Sequence, residues 1–215
     1  MEQLVSRRHV VGIGAAAGLL VAARPASSAS IFPLPAAPKS DLSPELLARA
    51  KEALYSRQGE IARSDVIAVT DFSKPSREPR FYIVDLMNGM VTSYHVAHGR
   101  GSDPEHSGWL ERFSNGIGSE ASSNGAYVTG DVYFGKYGRS LRLTGLDATN
   151  SNALERAIVV HAAWYAEPKV AEQYGKLGRS EGCFALSETN LQYVLFHLGP
   201  GRMIYADKLP LSFNG

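Results

Sequence analysis

Cys183 is the chain's one cysteine, and it stands in the run Gly178-Arg179-Ser180-Glu181-Gly182-Cys183-Phe184. Small residues lead into the thiol, and a glycine directly before it lets a substrate carbonyl approach the backbone closely. That is the local build of a nucleophile beside an oxyanion hole. The competing reading is a buried, inert cysteine that packs as a small hydrophobe. A thiol with an ordinary pKa of about 8.5 needs a base to become an efficient nucleophile at neutral pH, and histidine is the residue for it. His161 closes the run Ala157-Ile158-Val159-Val160, so a buried strand would deliver its ring at a sheet edge. The segment 163–182 is then long enough to fold Cys183 back onto it. His197 would give the papain-like order of cysteine before histidine. It falls off the apolar stripe of Leu191, Val194, Leu195 and Leu198, which points it to solvent.

Other constellations carry less. His95, His98 and His106, with Asp103 and Glu105 between the last two, have no compact metal-ligand spacing. Neither a metal nor a cofactor is expected. His161-Ala162-Ala163 lacks a glutamate two residues on, and no Pro-Cys-x-x-Cys follows, which excludes a zinc nucleobase deaminase. Gly99-x-Gly101 is a weak phosphate signal because no helix follows it. Tyr127, Tyr133, Tyr137, Trp164 and Tyr165 are aromatics available to line a cleft, with no role assigned by sequence.

The elements that must position Cys183 and His161 follow from pattern. Ser43-Pro44-Glu45 offers an N-cap and a proline at the first helical position, and Leu46, Leu47, Ala50 and Leu54 recur at helical spacing, predicting a helix over 44–57. Beyond it the texture turns to β-branched and aromatic runs at 66–72, 80–86, 90–97, 126–134, 140–146 and 157–162. Asn88-Gly89 between two such runs predicts a hairpin with a type I′ turn. Residues 98–124 show no sustained period and read as a long loop, of the kind that binds something or moves. Ser187 is placed to cap a last helix, stopped by Gly199-Pro200, before a final strand over 202–206. The expected fold is mainly β with a few helices, its sheet mixed and mostly antiparallel.

The 215 residues carry 22 Lys and Arg against 21 Asp and Glu. No basic run interrupts that balance, so no nucleic-acid partner is expected. A lone cysteine has no disulfide partner within the chain. Ser6-Arg7-Arg8 precedes a weakly apolar stretch, Val10 to Ala23, that ends at Arg24-Pro25. A spanning helix needs about 20 apolar residues, so the stretch reads as a twin-arginine export signal over 1–29, cleaved near Ala29, with an uncleaved N-terminal membrane tether as the other reading. Four prolines at 33, 35, 38 and 44 make 30–44 an extended linker, and the folded domain is placed at 45–215. Export exposes a free thiol to oxidation, so a lone exported cysteine calls for a functional explanation.

A strand ending Ile158-Val159-Val160-His161-Ala162, followed after a gap by Gly178-Arg179-Ser180-Glu181-Gly182-Cys183, resembles the murein L,D-transpeptidase (YkuD-type) catalytic domain. Phe113-Ser114-Asn115, Ser122-Ser123-Asn124-Gly125, Tyr133 to Gly138 and Ser140 to Leu146 support the likeness. The resemblance implies a β-sandwich fold and a cysteine acyltransferase of the periplasm or cell envelope, working on peptidoglycan stem tetrapeptides. In it Cys183 attacks diaminopimelate at stem position three, His161 shuttles the proton, and D-alanine leaves from a thioester. The Ala162 backbone carbonyl orients the ring, the Gly182 and Cys183 N–H groups hold the oxyanion, and Arg179, Ser180 and Glu181 lie against substrate. The acceptor is a second stem, giving a 3→3 cross-link, or an outer-membrane lipoprotein, or water. A peptidoglycan-binding relative without turnover and a periplasmic cysteine peptidase are the other readings. Ala162, Glu181 and Ala185 depart from the residues that many members carry at those places.

Overall fold

The computed structural model describes residues 40–210; the expected export signal and most of the linker lie outside the described residues. The elements run α1 (Pro44–Ser56), β1 (Val66–Asp71), β2 (Phe81–Asp85), β3 (Val91–Tyr94), β4 (Gly125–Gly135), β5 (Gly138–Gly145), β6 (Val159–Ala162), α2 (Pro168–Tyr174), β7 (Phe184–Leu186), α3 (Glu188–Leu198) and β8 (Met203–Asp207). The eight strands form one sheet in the order β3-β2-β1-β8-β4-β5-β6-β7. Its pairings are antiparallel except β1 with β8 and β6 with β7. The fold class read from sequence is therefore the one found. Where a sandwich implies two sheets, a single sheet bends round until its ends meet: Ala97, just past β3, donates its N–H to the Ala185 carbonyl of β7 at 2.9 Å.

Period-two alternation explains how the sheet is covered. Val66 and Ala68 of β1, Phe81 and Ile83 of β2, and Ile204 and Ala206 of β8 face an inner core that α3 closes. Phe184 of β7 reaches across it to Phe81, with ring centroids 6.3 Å apart. The alternate residues, Ile67, Val69, Tyr82, Val84 and Met203, face outward onto Leu46, Ala50 and Leu54 of α1. Helix α1 is capped by Ser43, whose Oγ accepts the Leu46 N–H at 3.4 Å. In α3, Ser187 caps in the same way, accepting from Asn190 N–H at 3.2 Å, and Leu191, Val194, Leu195 and Leu198 are buried. Leu42, ahead of α1, also packs into the outer core. No helix among the described residues is long and apolar enough to cross a membrane.

Three local expectations are corrected. The Asn88-Gly89 turn is not type I′, because only Gly89 has positive φ. The Asp85 carboxylate accepts the N–H groups of Met87 at 2.9 Å and Asn88 at 3.2 Å, which winds 86–89 into a longer right-handed loop. Strand β6 begins at Val159 rather than Ala157, since Ala157 sits at φ 52 in a turn. Helix α2 and strand β7 lacked a sequence signal: α2 is short and carries one buried apolar residue, Ala171, and β7 is three residues long.

Candidate active site

The outer face of the sheet is covered by α1 only over β1, β2, β4 and β8. Over β7 the same face is closed by Ala166, Ala171 and Leu177 packed on Ala185, and between these two covers lies a cavity of about 420 Å³ lined by Tyr133 of β4, Val159 and His161 of β6, and Cys183 just ahead of β7. Register brings them there. His161 pairs with Ala185 in the parallel β6–β7 ladder, and partners in a ladder share a face. Cys183 lies two residues before Ala185 and therefore on the same face, while Val160 and Phe184 point into the core. Ser140 of β5 and Tyr133 of β4 continue the row across the sheet.

Tyr133 reaches that row through a bulge. Between Thr129 and Val132 the β4–β5 register slips, so that three steps on β4 oppose two on β5. A bulge reverses the parity of every side chain beyond it. Tyr127 before it is in the inner core, and Tyr133 after it is in the cavity wall. The hairpin tip then overhangs the site: Tyr137 stacks on the His161 ring, centroids 4.4 Å apart and planes 21° apart.

The imidazole is held in one tautomer. His161 Nδ1 lies 2.9 Å from the Ala162 carbonyl oxygen, which only accepts, so Nδ1 carries the proton and Nε2 keeps its lone pair. Burial holds the ring's pKa below its usual value, with the Ala162 carbonyl acting in the opposite direction. The ring is neutral at neutral pH, as a base must be. Cys183 is 8% exposed, and its Sγ–H donates to the Ala157 carbonyl at 3.6 Å. Burial pushes the thiol pKa up and a backbone hydrogen bond at Val159 pulls it down. Glu181 raises it further and Arg156 lowers it.

Gly182 has φ 112, and a Cβ there would lie 2.7 Å from the Ala121 carbonyl oxygen, so the residue before Cys183 is glycine for two independent reasons. Its N–H is engaged, donating to Ser180 Oγ at 3.2 Å, while the Ser180 hydroxyl donates to the Cys183 carbonyl at 2.7 Å. Arg179 lines the cavity and donates to the Asp103 and Pro104 carbonyls. Glu181 is exposed at the cavity rim, with Arg100 Nη2 at 3.5 Å. His197 is exposed on α3 and takes no part in the cavity.

The long loop 98–124 packs along the Cys183 segment. Ser180 N–H donates to the His98 carbonyl at 2.9 Å, and Arg100 N–H donates to the Ser180 carbonyl at 2.8 Å. Close backbone packing accounts for both glycines without phosphate, Gly99 against the Cys183 segment and Gly101 against 119–121 of its own loop. A Cβ on Gly99 would sit 2.8 Å from Gly182 Cα, and one on Gly101 would sit 1.9 Å from the Ser119 oxygen. His98 and Asp103 do meet, Nε2 to Oδ2 at 3.1 Å, but the other side of the ring takes an N–H from Arg80 at 2.7 Å. A guanidinium thus occupies the place that a cation would need. His95 and His106 bond the Arg77 and Leu177 carbonyls, each at 2.9 Å, well apart from that pair in partners.

Sequence reasoning left out Arg100, Lys136 and Arg156 of the cavity wall. Arginines scattered along a chain have no signature until the loops carrying them converge. It also left out Ala157, whose carbonyl holds the thiol.

Similarity to solved structures extends over about two thirds of the chain. An L,D-transpeptidase from Mycobacterium smegmatis is 15% identical over 66% of this chain and 58% of that one, with TM-score 0.41. L,D-transpeptidase 3 from Mycobacterium tuberculosis is 14% identical over 66% and 61%, with TM-score 0.43. The helical cell shape determining protein Pgp2 from Campylobacter jejuni is 14% identical over 67% and 48%, with TM-score 0.39. The chain thus spans about half to three fifths of the length of these structures. No curated protein matches it. Residues 38–206 match the L,D-transpeptidase catalytic domain, and on that match, which takes in most of its 215 residues, the chain belongs to the L,D-transpeptidase catalytic domain family.

Proposed function

We propose that the protein is an exported cysteine acyltransferase of the cell envelope, carried there by the twin-arginine route. It acts on peptidoglycan stem tetrapeptides and forms 3→3 cross-links. The observation that carries this reading is a single open cavity walled by both Cys183 and His161, with His161 Nε2 left free to take a proton. In the reaction, Cys183 turns from the Ala157 carbonyl toward the ring and gives its proton to Nε2. The sulfur attacks the carbonyl at the L-centre of diaminopimelate, and the oxyanion takes the Cys183 N–H. The Gly182 N–H joins it once Ser180 Oγ lets go, and oxyanion donors of this kind contribute a few kcal/mol in enzymes generally. The C–N bond to D-alanine then breaks as Nε2 returns the proton to the leaving amine, and a thioester remains. The side-chain amine of a second stem attacks the thioester and frees the thiol. A lipoprotein amine or water in its place would give attachment or a trimmed tripeptide. Arg179, Ser180 and Glu181 lie against the peptide.

A second reading has specific support. A thiol pushed up by burial and by Glu181, next to a Gly182 N–H already engaged, suits a relative that binds peptidoglycan and turns over weakly. Intact-protein mass spectrometry after incubation with a carbapenem separates the two. The transpeptidase reading expects one covalent adduct on the wild type and none on Cys183→Ala. An adduct that persists in Cys183→Ala removes the nucleophile, and no adduct on folded wild type favours the binding relative. Muropeptide analysis of a cell-wall digest then distinguishes 3→3 cross-links from lipoprotein attachment and from tripeptides.

A further inference from the structure

Arg156 is the cation most tightly built into the floor of the cavity. The segment leading to it is wound by Arg156 N–H donating to the Asn152 carbonyl at 2.8 Å and Ile158 N–H donating to the Ala153 carbonyl at 2.8 Å. The chain then turns through the left-handed Ala157, a costly conformation for a residue with a Cβ. That turn presents two things to Cys183 at once: the Ala157 carbonyl that takes the thiol hydrogen, and the Arg156 guanidinium. Nη1 donates to the Ser114 carbonyl at 2.8 Å and to Ser123 Oγ at 2.7 Å, and Nη2 donates to the Ala121 carbonyl at 2.5 Å. All three acceptors belong to loop 98–124 and all are neutral. Among the described residues no carboxylate pairs with Arg156, so its charge is held in place and left uncompensated. Nη2 is also packed against the glycine before the nucleophile, 3.1 Å from where a Gly182 Cβ would stand.

We propose that Arg156 is a positioning residue for Cys183, a fixed cation that sets how much of the thiol is thiolate. The other charged and titratable groups around the thiol do not take its place. Arg100 is shared between Glu120 and Glu181. Arg179 is turned to the Asp103 and Pro104 carbonyls. Lys136 lies over the Tyr137 ring on the hairpin tip. His161 is a neutral ring, and burial keeps Tyr165 in its neutral form. Glu181 opposes Arg156, but its side chain is 59% exposed, and solvent screens an exposed charge more than one held against the protein floor. A fixed guanidinium beside a thiol favours the thiolate.

The inference rests on Cys183 being the nucleophile proposed above, but it is tested on the thiol with no peptidoglycan or β-lactam present. Its failure is therefore separate from that of the enzymatic reading. With one cysteine per chain, the rate of alkylation by iodoacetamide between pH 5 and pH 10, followed by intact mass, reports that thiol alone. Arg156→Gln is expected to move the midpoint upward and to slow alkylation at neutral pH by about tenfold per unit moved. Arg156→Lys, which keeps the charge and loses the paired grip on the loop, is expected to keep the wild-type midpoint. In the double variant Arg156→Gln, Glu181→Gln the midpoint should return toward wild type. Should Arg156→Gln not fold by thermal melting, Arg156→Met serves as the neutral variant. A neutral variant with the wild-type profile overturns the proposal, as does a Lys variant shifted as far as the neutral one.

Discussion

His98 and His161 are 1% and 2% exposed, and each bonds a ring nitrogen inside the protein, yet the two regions use the imidazole in opposite ways. At His98 both nitrogens are taken. Arg80 donates to Nδ1, so Nε2 carries the proton and donates to Asp103, which also receives the Gly108 N–H at 2.8 Å and the Ser107 N–H at 2.7 Å. Burial, then the Arg80 charge, draws the ring's pKa down to about 3. Burial also lowers Arg80, to about 9, with Asp71 and Asp103 acting the other way. The result is a neutral ring locked between a cation and an anion, and it fixes the start of loop 98–124. At His161 only Nδ1 is bonded, to the Ala162 carbonyl, and the ring lines the cavity that Cys183 also lines. A buried histidine is a chemical group when one nitrogen is spare and a structural group when neither is.

Substitutions that treat the two alike should separate them. His161→Ala is expected to slow carbapenem acylation by about 10²–10⁴-fold with little change in melting temperature. A loss of stability in place of a loss of rate would move the base elsewhere. Asp103→Ala should do the reverse, costing about 3–5 kcal/mol in urea unfolding because it leaves the buried Arg80 and His98 without their anion. A small cost there would mean that the network is not what holds the loop. Acid should expose the same difference. The His98 pKa is depressed in the fold, so between about 6.5 and 3 the unfolded chain binds a proton that the folded one does not. Stability is complete above 6.5 and falls as the pH drops through that window, by at most about 1.4 kcal/mol per unit. His161, depressed as well, adds loss of the same sign. The Asp103 carboxyl is held below its usual range by the Gly108 and Ser107 amides despite its burial, so it contributes only at lower pH. Chemical denaturation of His98→Gln should show a flatter acid limb, and an unchanged limb would place the titrating group elsewhere. The smallest effect is expected at Glu181→Gln. Removing a carboxylate that is largely exposed should speed thiol alkylation by about twofold to fivefold, and a slower rate would show that Glu181 helps the thiol.

Much of the scaffold was legible because its signals are local. Ser43 and Ser187 cap the helices expected of them, the 3.6-residue stripe of Leu191, Val194, Leu195 and Leu198 is buried, and the β-branched runs became strands within a few residues. Gly182 reads in sequence as room for a substrate carbonyl, and the carbonyl packed against it in the structure is that of Ala121. Asn88-Gly89 misled because a side chain, Asp85, captured the turn. Ala157 in the left-handed region had no signal, since nothing in alanine asks for that conformation and only the packing around it imposes it.

By itself the amino-acid order determined the candidates for chemistry, one thiol and a histidine at the end of an apolar run, and most of the segments that are helix and strand. These depend on side-chain type and on spacing along a few turns of chain. The tertiary structure alone decided that Tyr133 crosses to the cavity face through a one-residue bulge, that His98 is spent between Arg80 and Asp103, and that Arg156 comes to lie beside Cys183. Each of these depends on contacts that no local pattern of residue types announces, whether across a hairpin or between separate loops. Their free energy comes from burial and from hydrogen bonds that exist only once the sheet has closed on itself.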